Sequence, residues 1–133
     1  MSEADFEVIR QAWAGFSRGD VAGLLENLDP DIEVVPFGAK MEGKLYRGHQ
    51  GVQDWWQREI LANWEVFETL PEEFRRVGDR ILVFGRWVAR GKTSGVDLQV
   101  PATWIVDMRE GKIARWQTYT DRGEAVAALR LKD

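Results

Sequence analysis

The sequence predicts an α+β fold: a cone-shaped, curved antiparallel sheet wrapped around three helices, with a short C-terminal helix closing the chain. Apolar residues recur at helical spacing in the first half and again at the end, whereas residues 66–120 run as apolar and β-branched stretches broken by Gly-containing turns. Pro71 falls inside one of those stretches, where it marks a bulge that bends the strand. A meander of strands must cover one face, and the helices that precede it supply the cover. Because the sheet is bent, the helices are expected to leave part of the concavity open as a cavity.

Phe6, Ile9, Trp13 and Phe16 place an amphipathic helix over about residues 3–17. Gly19-Asp20 stops it, and the Asp20 carboxylate can accept the free N–H groups of a short helix over Val21 to Leu28. Asp29-Pro30-Asp31 reads as a turn, Ile32 to Val35 as a strand ended by Pro36, and Phe37 to about Arg47 as a loop. Gly48-His49-Gln50-Gly51 opens a third helix that puts Val52, Trp56, Ile60 and Trp64 on one face. Strands follow over Val66–Val77, Arg80–Arg90, Val96–Met108 and Ile113–Thr120, joined by turns at Gly78-Asp79, Gly91–Gly95 and Arg109–Lys112. Asp121 and Glu124 have capping-box spacing ahead of Ala125, Val126 and Leu129, which gives the terminal helix.

The 133 residues suit a single domain spanning 1–133, large enough to hold its core without a disulfide or a metal. There is no cysteine, so a Cys nucleophile and thiolate metal sites are excluded, and the lone histidine cannot build a structural zinc site. No metal or cofactor is implied. A net charge of −4 offers no basic face for nucleic acid, and no apolar run is long enough to span a bilayer. The acidic residues in MSEADFEVIRQ argue against a signal peptide, so a cytoplasmic location is expected. Seven tryptophans are the unusual feature, fitting an aromatic-lined cavity or an oligomer interface.

Arg18-Gly19-Asp20, the stretch Leu28 to Pro36, Tyr46 to Gly51, and Gly111-Lys112-Ile113 through Tyr119 to Ala125 resemble the SnoaL-like branch of the nuclear-transport-factor-like superfamily. The resemblance covers nearly the whole chain and implies architecture more than chemistry. The ketosteroid isomerases of that superfamily carry a general-base Asp at the position of Val35, with oxyanion donors at about Ala12 and Thr103. Only Thr103 can donate a hydrogen bond. The epoxide hydrolases' Arg is matched by Arg86, but their two Asp fall at Val88 and Thr118. The polyketide cyclases' acid also falls at Thr118. None of the three catalytic constellations is reproduced.

The reading is therefore a binding protein for a small hydrophobic molecule. Its expected ligand-binding residues are Trp13, Phe16, Val35, Trp56, Trp104 and Trp116 as the wall, with Arg86, Thr103 and Thr118 orienting polar atoms. Arg86 is expected to point into the cone by the hydrolases' parity; its other reading is an ion pair on the outer face. A second reading is an isomerase, hydrolase or cyclase in which Asp121 or His49 serves as general base. A third is a protein-interaction scaffold. Tyr119 and Trp87 are expected on the outer sheet face, where large aromatics left wet would favour a homodimer through that face.

Overall fold

The computed structural model describes residues 2–35, 45–119 and 122–131. Helices α1 (Ser2–Ser17) and α2 (Val21–Glu26) are separated by Asp20, whose Oδ1 accepts from the Gly23 N–H at 2.9 Å as the capping pattern requires. Strand β1 (Leu28–Val35) begins at Leu28 rather than at Ile32. The expected turn at Asp29-Pro30-Asp31 is instead the irregular part of that strand, where its register shifts. A two-residue strand, β2 (Tyr46–Arg47), follows, then α3 (Gly48–Trp55), which runs on as a π-helical turn over Trp56–Leu61.

That π turn matters because it widens the helical repeat, so Trp55, Trp56 and Ile60 are all buried. Trp64, expected on the same helix face, opens the next strand instead. The remaining elements are β3 (Trp64–Val77), β4 (Arg80–Gly91), β5 (Asp97–Arg109), β6 (Lys112–Tyr119) and α4 (Arg122–Leu131). Between β5 and β6 the two turn residues Glu110 and Gly111 both have positive φ, 51° and 79°, the backbone that lets a two-residue hairpin follow the twist of its strands.

The six strands form one curved, unclosed sheet in the order β2-β1-β6-β5-β4-β3. β3 through β6 pair antiparallel, as expected of a meander, but β1 lies parallel to β6, so the sheet is mixed rather than wholly antiparallel. Register shifts in β3 at Trp64/Val66 and Pro71/Glu73 supply the bend foreseen at Pro71. Opposite Pro71 stands Gly85, where any Cβ would run into the Leu70 carbonyl oxygen. The strands meet so closely there that only glycine fits.

Alternation along each strand divides the sheet into two faces. The inner face carries Ile81, Val83, Trp87 and Ala89 of β4 and Ala102, Trp104 and Val106 of β5, packed with Ile9, Trp13 and Phe16 of α1, Leu24 of α2 and Val52 of α3. The outer face carries Leu82 and Phe84 of β4, Ile105 of β5 and Tyr119 of β6, covered by Ala125, Val126 and Ala128 of α4. Tyr119 thus faces outward as expected, but beneath a helix. Trp87 faces inward, a correction to the reading that placed it beside Tyr119. No helix among the described residues is long and apolar enough to cross a membrane.

Candidate aromatic site

The seven tryptophans share one environment: six are buried in the inner-face cluster, and Trp64 packs against it. At its deep end Trp13 lies 4.5 Å from Trp116 and 5.6 Å from Trp104, the latter edge to face. Phe16, one helical turn along α1, touches Trp56 at 4.9 Å, Trp55 at 5.4 Å and Phe67 at 5.6 Å. Phe67 then stacks on Trp87 at 5.3 Å, and Trp64 meets Phe67 at 5.7 Å. The rings therefore form a continuous path along the inner face, joined by the edge-to-face and offset contacts that aromatic quadrupoles favour.

Exposure grades along this path. Trp13, Trp104 and Trp116 are at most 1% exposed, so the deep end is packed solid. These three residues form the floor of the cluster. Among the described residues Trp13 Nε1 is buried with no hydrogen-bond acceptor. Toward the other end, Trp55, Trp56 and Trp87 are buried but Trp64, Phe67 and Val100 are partly accessible. Thr118, also partly accessible, lies opposite Trp104 and two residues from Trp116, on the same face.

Several expected polar site residues lie elsewhere. Arg86 alternates with Leu82 and Phe84 on the outer face, where it pairs with Glu72 at 3.4 Å and donates to Gln99 Oε1 at 3.4 Å. It does not enter the cone. Thr103 pairs in register with Phe84 and Tyr119, both outer residues, so it also faces away from the tryptophans. Val35 is in register with Gln117, whereas Val34 lies beside Trp116 and takes the inner position. His49 is tied down at the start of α3, its Nε2–H donating to the Leu28 carbonyl at 3.0 Å. Asp121 lies outside the described residues.

Among the described residues the buried Thr69 and Thr103 do not ionise, and the buried hydroxyl that can, that of Tyr119, lies on the outer face beneath α4. Thr69 docks α1 onto the β3 bend: its N–H donates to Ser17 Oγ at 2.8 Å, and Ser17 donates back to the Thr69 carbonyl at 3.1 Å. On the outer side a groove of about 510 Å³ opens between β1 and the β5–β6 hairpin, lined by Asp31, Glu33, Asp107, Arg47, Arg109 and Arg115. It carries three carboxylates and three guanidinium groups, with Arg47 on Glu33 at 3.0 Å and Asp107 paired outside the lining with Arg80 at 2.7 Å. The aromatic face is the chemically distinctive one. Trp55, Phe67 and Trp87 are its members that sequence reasoning did not assign; Trp55 sits three residues beyond Val52, a spacing that could have found it.

The sequence profile of the SnoaL-like domain matches residues 9–116, from within α1 to Trp116 in β6, which includes all seven tryptophans. The chain belongs to the SnoaL-like domain family. Among solved structures it is similar to TerC co-crystallised with polyporic acid, at 28% identity, covering 96% of this chain and 97% of that one, with a TM-score of 0.77. It is also similar to an NTF2-like protein of unknown function from Burkholderia pseudomallei K96243, at 22% identity over 93% and 95% of the two chains, TM-score 0.76. A third similar structure is a Mycobacterium tuberculosis protein in complex with estradiol-17β-hemisuccinate, at 16% identity over 90% and 95%, TM-score 0.73. The last two likenesses concern the fold alone. No curated protein matches the sequence.

Proposed function

We propose that the protein binds a small, ring-containing organic molecule at the accessible end of its aromatic face. The observation that carries this reading is the graded path of rings, sealed at Trp13, Trp104 and Trp116 and open at Trp64, Phe67 and Val100. A flat apolar guest can continue the stack where the protein's own rings stop, and displacing water from aromatic surface supplies most of the free energy. Trp56, Trp87 and Phe67 form the wall in this reading, and Thr118 supplies a hydroxyl toward polar atoms of the guest. The ligands of two relatives, polyporic acid and estradiol-17β-hemisuccinate, are ring compounds bearing an acidic group, which supports the class. Binding rather than general-base catalysis is favoured because the described inner face holds no ionisable buried side chain.

The test is a titration of the protein with polyporic acid and with estradiol-17β-hemisuccinate, followed by tryptophan emission and by calorimetry. Saturable one-to-one binding of either compound, weakened in Phe67→Ala, is the expected result. A flat response to both compounds in both measurements would sink the reading.

A further inference from the structure

We infer that the outer-face groove between β1 and the β5–β6 hairpin is a second binding site, which takes a singly charged organic carboxylate on Arg115. Five charged residues stand in register from strand to strand: Arg47 on β2, Glu33 on β1, Arg115 on β6, Asp107 on β5 and Arg80 on β4. Each is next in sequence to a residue of the inner cluster, Tyr46, Val34, Trp116, Val106 or Ile81, and so points to the outer face. Opposite charges are neighbours all along the row, an arrangement that stabilises paired strands. The row holds three guanidinium groups and two carboxylates, so one cation is left over. The hydrogen bonds show which one. Arg47 takes Glu33 Oε2 at 3.0 Å, and Arg80 takes both oxygens of Asp107 at 2.7 and 3.2 Å. Arg115 lies between those carboxylates with its Nε 3.6 Å from Glu33 Oε1, beyond hydrogen-bond reach. Among the described residues that Nε is buried with no hydrogen-bond partner.

The fold opens space where that donor is spare. Met108 pairs with Ile113 and Asp107 with Arg115, which makes Ala114 the extra residue of a bulge beside Arg115. Ala114 is small, and the groove it lines, of about 510 Å³, has the volume of a site for a small organic ligand. Arg115 is the guanidinium best withdrawn from water there, its side chain 29% exposed against 66% for Arg47 and 58% for Arg109. An arginine fork fits a carboxylate and a phosphate alike, so shape does not choose between them. Charge does. Asp31 lines the same groove, and Arg109 is already held by Asp29 at 3.2 Å. With three acids against three arginines in the lining, a single negative charge meets the spare donors of Arg115, whereas a second one is repelled by Asp31. The aromatic face is on the other side of the sheet, so this site stands or falls apart from the one proposed there.

The experiment titrates the isotope-labelled whole chain at neutral pH with benzoate, phenyl phosphate and benzamide, which share a ring and differ in charge. Nuclear magnetic resonance follows the arginine Nε–H signals, while the tryptophan Nε1–H signals report the aromatic face separately. Benzoate should move the Arg115 signal saturably, and benzamide should leave it in place. Phenyl phosphate, largely a dianion at this pH, should bind Arg115 more weakly than benzoate. Arg115→Gln should weaken benzoate binding by about tenfold or more, and Asp31→Asn should tighten it by roughly threefold. An Arg115 signal that stays still, a shift confined to the tryptophans, or a phosphate bound as tightly as benzoate overturns the inference. So does unchanged affinity in Arg115→Gln or in Asp31→Asn. Should Arg115→Gln lose its near-UV circular dichroism and with it its fold, the Arg115 signal of the unaltered chain and the Asp31→Asn response still decide the matter.

Discussion

Phe67 and Trp87, on the neighbouring strands β3 and β4, lie nearly parallel, their planes 17° apart and their centres 5.3 Å apart. They are the last stacked pair before the aromatic path reaches the accessible end of the inner face. Phe67→Ala should therefore do two things at once. It should lower the unfolding free energy by about 2 kcal/mol, less than for a fully buried Phe because Phe67 is partly exposed. It should also weaken binding of a ring compound by roughly tenfold, an outcome read by denaturant melts and calorimetry on the same preparation.

His49 is held by the Leu28 carbonyl rather than by the aromatic face. His49→Ala should cost about 1 kcal/mol of stability, the ordinary net worth of a hydrogen bond, and leave affinity for ring compounds unchanged. A large loss of affinity with no loss of stability would assign His49 to the site instead.

Gly85 sets the bend of β3 over β4. With no space for a Cβ beside the Leu70 carbonyl, Gly85→Ala must push two paired strands apart. The expected cost is about 1–3 kcal/mol, of the size found for overpacked interiors, seen as a lower midpoint in urea with an unchanged slope.

Burial beneath α4 pushes the Tyr119 hydroxyl above its ordinary 10.0; Arg115 and Arg80 pull it back, and Glu124 adds to the rise. The neutral phenol is thus favoured in the folded chain. The stability this lends is complete below the unfolded value of about 10 and is lost as pH rises through the folded one. Stability measured from pH 8 to 11 should fall at the alkaline end, and Tyr119→Phe should flatten that fall. An identical profile for both proteins would remove Tyr119 as its source.

Features set by neighbours in sequence were legible from the sequence. The Asp20 cap, the Glu110-Gly111 hairpin and the bend near Pro71 each depend on a few adjacent residues, and each appears where local chemistry places it. Facing was harder to read. Ile81-Leu82-Val83-Phe84 is apolar on both sides because α1–α3 cover one face and α4 the other, so the two-residue alternation that would orient Arg86 is erased. Parity borrowed from relatives then put Arg86 and Thr103 on the wrong side. The aromatic site was half visible: Trp13, Phe16, Trp56, Trp104 and Trp116 were named, and Trp55 stood within reach three residues beyond Val52, whereas Phe67 and Trp87 lie on strands whose facing the apolar runs conceal.

The parallel pairing of β1 with β6 joins residues near Leu28 to residues near Ile113, with the whole meander between them. During synthesis, β1 must wait for the ribosome to release the whole meander before the strand it pairs with is present. Folding of this protein is accordingly an event of late translation, and a nascent chain stalled before Ile113 would be a substrate for chaperones rather than a partly finished domain.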